Sequence, residues 1–353
     1  MNFTGIKARM LRRSGLALCV ALAALSGCGG GSRKVDFVPT RIVAFGDESS
    51  VIVAGSGALD AKKYSVNFYD TTTSAVNCLT YPIWTQYLAG TFGLAFKECP
   101  GTTLQGTAAA NSVSLATVGG TSGSVVTALQ QYLANGTNGQ PAADHDLVTV
   151  LVGQQDVLDA YAALGASPAQ SAVDAAVVAI QANAQALAAQ INVVAQSGPP
   201  VIVSTIPNVA ITPFGRQQSA AGSAILSRLS QAYNDKLTLS LINDGHLIGL
   251  VNGETEVQNM TSTNGNPNGY GIANDNIGVA ACASPATAAL LNCNSNGTAV
   301  FDATANNLVQ TPLASGATQL VTTYLWAGDT QLGPVAHSRL GLIAESRAKN
   351  NPF

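Results

Sequence analysis

The chain has 353 residues, is 47% apolar and only 10% charged, and carries a formal charge of −3. No basic patch or Arg/aromatic run suggests nucleic acid as a partner. The three histidines, His145, His246 and His337, lie far from any CxxC pair, so neither a metal nor a cofactor is expected.

The first 27 residues read as a targeting segment. Lys7, Arg9, Arg12 and Arg13 form a basic start, and Gly15–Leu25 is an apolar stretch too short to span a bilayer. It runs into Leu25-Ser26-Gly27-Cys28, which resembles a bacterial lipobox. That resemblance implies cleavage before Cys28, fatty acylation of Cys28 (palmitate among the acyl groups) and attachment to a membrane through the lipid. Gly29 rather than Asp follows, which points to the outer membrane of a bacterial envelope. An ordinary cleaved secretory signal is the plain alternative. Beyond this segment no apolar run is expected to cross a membrane. Residues 28–39 form a flexible tether, and residues 40–353 a single α/β domain. Loss of the signal leaves 12 Lys and Arg against 19 Asp and Glu, a net charge of −7.

Four cysteines remain, and four cysteines allow three pairings. The local pairs Cys78–Cys99 and Cys282–Cys293 are expected in an oxidising compartment.

Arg41–Phe45 reads as a buried strand, and Gly46-Asp47 ends it with turn chemistry. Val51–Val76 is polar and reads as a loop over the carboxyl edge of the sheet. Leu79–Leu94 has helical spacing, with Tyr81, Ile83, Trp84, Tyr87 and Leu88 on one face. Trp84 is either a core residue or part of a cleft wall. Asn111–Val118 is the next strand, followed by Gly119-Gly120 and a helix over Ser124–Leu133. Asp146–Val152 is a third strand ending in Gly153-Gln154-Gln155-Asp156, and Asp156 suits a helix N-terminus. Ser167–Ser197 is a long Ala-rich helix, Pro199–Ile206 a fourth strand, Ala220–Asn243 a helix and His246–Val251 a fifth strand. Asn252–Gln310 is Asn/Gly-rich and reads as an irregular insertion. Tyr324–Ala348 closes the chain with Tyr-Leu-Trp-Ala-Gly-Asp-Thr-Gln-Leu-Gly-Pro-Val-Ala-His and a helix.

Five of these stretches, in order from Arg41 to Ala348, resemble the blocks of the SGNH/GDSL hydrolases. The first is similar to a strand ending in Phe-Gly-Asp-Ser, whose serine is the nucleophile. The resemblance implies a three-layer αβα sandwich with a five-stranded, mostly parallel, flavodoxin-like sheet. It also implies a binding or oxyanion role near Gly46, Asp47, Gly119, Gly120, Gly153, Gln155 and Asp156. Gln155 stands where the family has an asparagine amide.

The catalytic triad departs from the family pattern. Glu48 occupies the serine place, Gly328 the aspartate place and Gln331 the histidine place. A serine hydroxyl needs a base beside it, and none is provided there. Three readings follow. The first is a catalytically impaired pseudo-hydrolase holding a small neutral or ester ligand in its cleft. The second is a working ester hydrolase with a shifted site, Ser49 with His337 or His246. The third is a structural envelope lipoprotein with a protein partner.

Overall fold

In the computed structural model of the chain, residues 37–57, 60–70, 72–101, 109–261, 267–282, 290–291, 293–295 and 321–350 are described. The targeting segment, Cys28 and much of the stretch 283–320 lie outside the described residues.

β1 (Arg41–Gly46) is buried at every position, as a strand covered on both faces must be. A single 3-10 turn, Glu48–Ser50, follows it. Val51–Val76 was expected as a bare loop. It holds two small antiparallel pairs, β2 (Ile52–Val53) with β3 (Lys62–Lys63), and β4 (Phe68–Asp70) with β5 (Ala75–Asn77). Strands this short carry too little alternation to be read from a sequence. α1 (Trp84–Thr91) is shorter at both ends than the apolar spacing predicts. Pro82 disfavours helical geometry before it, and Tyr81 has φ 51°. Gly93, at φ 67°, turns the chain into β6 (Leu94–Phe96).

β7 (Ala109–Ser114) leads to α2 (Ser122–Asn135), whose N-terminus is capped by the Thr121 hydroxyl accepting from Ser124 N–H. β8 (Asp146–Leu151), α3 (Gln154–Leu164) and α4 (Gln170–Gln196) follow. Then come β9 (Val201–Ser204), α5 (Pro213–Arg216), α6 (Ala220–Ser240) and β10 (Ile248–Val251). α7 (Gly253–Thr261) corrects the expectation that structure stops at residue 252; its Val257, Met260 and Thr261 are buried. α8 (Pro334–Asn350) ends the described chain.

The sheet order is β10-β9-β8-β1-β7-β6 and every neighbouring pair is parallel. The fold is the expected α/β sandwich, with one strand more than the five read from the sequence. The addition, β6, is a three-residue edge strand that begins at the last residue of what reads as a helix. α2, α3, α4 and α6 pack together, while α1 packs on α8 and α8 on β10.

By length and composition α4 is apolar enough to cross a membrane, which the sequence reading did not anticipate. One face of it packs in the fold instead, burying Ile180, Leu187, Ile191 and Val194. At the amino edge Arg41 pairs in register with Asp146, and their side chains form a buried bidentate ion pair at 2.8 and 2.5 Å.

Both local disulfides form, Cys78–Cys99 and Cys282–Cys293. The second belongs to a small satellite core with Val51, Tyr64, Val66, Tyr324 and Ala327. This satellite joins the segment after β1 to the last sequence block.

Candidate active site at the carboxyl end of β1

Ligands in open parallel sheets sit beyond the carboxyl ends of the strands, where the strand order switches sides. β1 is that place: β7 and β6 lie on one side of it and β8, β9 and β10 on the other. Gly46 ends β1 at φ 146°, and a Cβ there would come within 2.1 Å of the Leu151 carbonyl oxygen of β8. Only glycine allows this approach. From the β7 side, a Cβ on Gly120 would meet the Gly46 carbonyl oxygen at 2.6 Å and Asp47 Cα at 3.2 Å. Thr117 N–H donates to the Gly46 carbonyl at 3.0 Å, so the 117–120 turn is fixed against the end of β1.

Asp47 is buried, and its Oδ1 accepts the Ser49 N–H at 3.0 Å, capping the 3-10 turn. Burial, and then the charge of Glu48, push its carboxyl up to about 7. Glu48 is 6% exposed and its Oε1 accepts the Gly119 N–H at 2.7 Å. The carboxylate in the serine place thus occupies the backbone donor that the sequence reading assigned to an oxyanion. Tyr64, also buried, feels the same carboxylate: burial, then the Glu48 charge, raise its phenol. The sequence reading missed Tyr64, because it lies in the stretch taken for a loop. Ser49 is half-buried, while Ser50 is fully buried and its hydroxyl accepts from Trp84 Nε1 at 3.0 Å. Trp84 itself is a core residue at 0% exposure.

Gly153, Gln155 and Asp156 follow the end of β8, and the Asp156 charge adds to the rise of the Asp47 carboxyl. Gln155 Nε2 donates along its own helix to Asp159 Oδ1 at 2.6 Å. Gly153 precedes α3 and backs onto the Tyr233 ring. Asp156 is buried in a network: Oδ2 accepts from Ser122 N–H and Oγ–H, and Oδ1 from Asn183 Nδ2. Its neighbour Ser122 also bonds the Tyr233 hydroxyl at 2.8 Å. That network ties α2, α3, α4 and α6 together.

Gly328 and Gln331 lie in one tight turn. A Cβ on Gly328 would meet Gln331 Oε1 at 2.6 Å and Leu290 Cδ1 at 3.1 Å. Gln331 Oε1 accepts the Thr330 N–H at 3.3 Å.

Neither histidine of the shifted-site arrangement bonds Ser49. His337 is buried between α8 and α1; its Nδ1 accepts the Trp84 N–H at 3.4 Å and its Nε2 has no partner. Burial, and then the nearby Lys63 charge, push its imidazole down to about 3. His246 is exposed and precedes β10, at the amino edge of the sheet, opposite Ser49. Lys63 is fully buried, and its Nζ donates to the carbonyls of Cys78, Thr80 and Tyr81 at 3.0, 2.9 and 2.8 Å. Burial pushes the ammonium down to about 7, while three acceptors require three N–H donors, which only the protonated form has. Among the described residues no cluster of His, Cys, Asp and Glu could hold a metal ion.

Among the described residues, no histidine hydrogen-bonds the hydroxyl of Ser49 or Ser50. Residues 42–275 match a family model described as GDSL-like lipase/acylhydrolase. No curated protein sequence matches significantly. Among solved structures, a member of the lipolytic G-D-S-L family from Veillonella parvula is 12% identical, with 63% of this chain and 84% of that chain covered and a TM-score of 0.35. An extracellular lipase from Streptomyces rimosus is 20% identical, covering 60% and 80%, with a TM-score of 0.34. An acetylxylan esterase from Geobacillus stearothermophilus is 11% identical, covering 63% and 80%, with a TM-score of 0.32.

Proposed function

This chain belongs to the GDSL-like lipase/acylhydrolase family, and we propose that it is a pseudo-hydrolase of the bacterial cell envelope, which binds a ligand without hydrolysing it. The observation that carries this reading is the 2.7 Å bond from Gly119 N–H to Glu48 Oε1. Acyl transfer needs a nucleophile and a base, and donors open to the oxyanion. Glu48 supplies no hydroxyl, and its carboxylate competes for the donor that a tetrahedral oxyanion would need. Attack by that carboxylate on an ester would give only an unstable anhydride. At the base position stands Gln331, whose amide cannot take a proton from a serine.

The test is hydrolysis of a short-chain nitrophenyl ester, together with covalent labelling by a fluorophosphonate. Wild type, Ser49→Ala and Glu48→Ser are all expected to show neither. In Glu48→Ser the donor is released, worth about 3–4 kcal/mol to an oxyanion, but the new hydroxyl still lacks a base. Turnover by wild type that Ser49→Ala abolishes would establish the shifted-site enzyme instead.

Attachment to the outer membrane through acylated Cys28 completes the proposal, supported by Leu-Ser-Gly-Cys at the end of the apolar stretch. Incorporation of labelled palmitate is expected in wild type and absent in Cys28→Ala. Equal incorporation in both would remove the lipid anchor from the proposal.

A further inference from the structure

We propose that the polar cleft at the amino edge of the sheet, between the start of β1 and the 137–141 turn, is a second ligand site, which takes an acidic saccharide. It lies at the opposite end of β1 from Glu48 and goes beyond the pseudo-hydrolase reading, on which it does not depend.

The cleft measures about 390 Å³, inside the range of about 300–1,000 Å³ for small-molecule sites. Asn111 of β7, with Asn138 and Gln140 of the turn, put three primary amides on its lining. These side chains are exposed and make no hydrogen bond among the described residues. A primary amide both donates and accepts, as a sugar hydroxyl does, so the two groups can satisfy each other. Among the described lining residues Pro141 and Ala143 are apolar and none is aromatic. A largely apolar ligand would strip water from the amides without pairing them, which is costly. Charge fixes the rest of the ligand. Arg41 and Asp146 are the buried residues of the lining, and their ion pair neutralises both. Lys97 is the remaining charged residue among those described there. It is exposed and forms no ion pair among the described residues, although its charge reaches the carboxyl of Glu98 beside it. A carboxylate on the saccharide is the counter-charge that Lys97 lacks.

The Arg41 guanidinium also holds the cleft in shape. Its Nη1 and Nη2 donate to the carbonyls of Thr137 and Pro141 at 3.3 and 2.9 Å, which fastens both ends of the turn to the start of β1. Within the turn, Thr137 N–H donates to the Gln140 carbonyl at 2.8 Å and Gln140 N–H to the Thr137 carbonyl at 3.0 Å. On the other wall, Lys97 N–H donates to the carbonyl of Ser112, next to Asn111, at 2.9 Å. The backbone on both sides is thus set without a ligand, so binding has only side chains to order.

The probe is aldobiouronic acid, a disaccharide of glucuronic acid and xylose, titrated by calorimetry into the purified protein at low salt. Saturable binding of one molecule per chain is expected. Its carboxyl-reduced form, which keeps every hydroxyl and loses the charge, should bind about tenfold more weakly. Lys97→Met should bring the acid down to the affinity of the reduced form. Asn138→Gly suits the φ of 52° at that position, and Gln140→Ala changes an exposed side chain, so each removes an amide without disturbing the fold. Each is expected to weaken the acid about tenfold while near-UV circular dichroism and Tm stay as in wild type. Lack of saturable binding by the acid, or wild-type affinity in either folded amide variant, overturns the site. Equal affinity for the acid and its reduced form, or wild-type affinity in Lys97→Met, overturns the charge match. Ester turnover is read separately, so a hydrolytic wild type would refute the pseudo-hydrolase reading and leave this result standing.

Discussion

Asp47 and Glu48 are neighbouring buried carboxylates, and their coupling has a measurable consequence. The Asp47 carboxyl is raised to about 7 in the folded chain, by burial and then by Glu48. A raised acid favours the uncharged form, so its contribution to stability is full below about pH 4 and is lost as pH rises through about 7. Asp47→Asn keeps an acceptor for Ser49 N–H and cannot ionise. Relative to that variant, wild type is expected to lose stability steadily between about pH 4 and 7, followed by Tm. His337, pushed down to about 3, gives the opposite trend, losing stability as pH falls below its ordinary value, but it is common to both proteins and cancels in the difference. Glu48→Gln removes the like charge and should shrink the effect, since the same acceptor remains for Gly119. A wild type and Asp47→Asn pair with parallel Tm curves would show that Asp47 does not titrate in this window.

Between elements, the amino edge of the sheet is held by a buried ion pair. Arg41 and Asp146 are partners in the β1–β8 ladder, and Tyr132 of α2 adds a hydroxyl bond to the same carboxylate at 2.6 Å. A one-residue slip would part the pair and turn every side chain to the other face. Asp146→Ala leaves a guanidinium buried without its counter-charge, and urea unfolding is expected to show a loss of about 3–5 kcal/mol. A loss below about 1 kcal/mol would mean that water reaches the guanidinium and the pair behaves as a surface bridge.

In the molecule as a whole, the satellite core joins the insertion after β1 to the last sequence block. Val51 and Ala327 share that cluster, and Ser65 Oγ donates to the Leu332 carbonyl at 3.0 Å. The segments a triad would draw on are therefore brought together. Adding Gly328→Asp and Gln331→His to Glu48→Ser is the least change that restores all three residue types. At Gly328 the new side chain first meets Gln331 Oε1, the far end of a flexible side chain that can swing aside, so Gly328→Asp alone is expected to keep Tm close to that of wild type. A Tm lowered by several degrees would show that the turn does not yield.

The sequence alone pointed to the fold class, the succession of the main strands along the chain and the local pairing of the cysteines, which the structure then bears out. Long buried runs such as Asp146–Leu151 and long periodic helices such as Gln170–Gln196 bury enough apolar surface to impose themselves. The resemblance also implies Glu48, Gly328 and Gln331 at the triad places, because residue identity in a motif needs no coordinates. What the sequence could not supply were the short pairs β2–β3 and β4–β5 and the edge strand β6, whose strands are two or three residues long and owe their form to neighbours far along the chain. The direction of each polar side chain was likewise decided only in three dimensions. Gln155 reads as an oxyanion donor and bonds Asp159, while Glu48 reads as a lost nucleophile and accepts from Gly119, 71 residues away. A hydrogen bond depends on distance and angle between groups that packing brings together, and that information is not local.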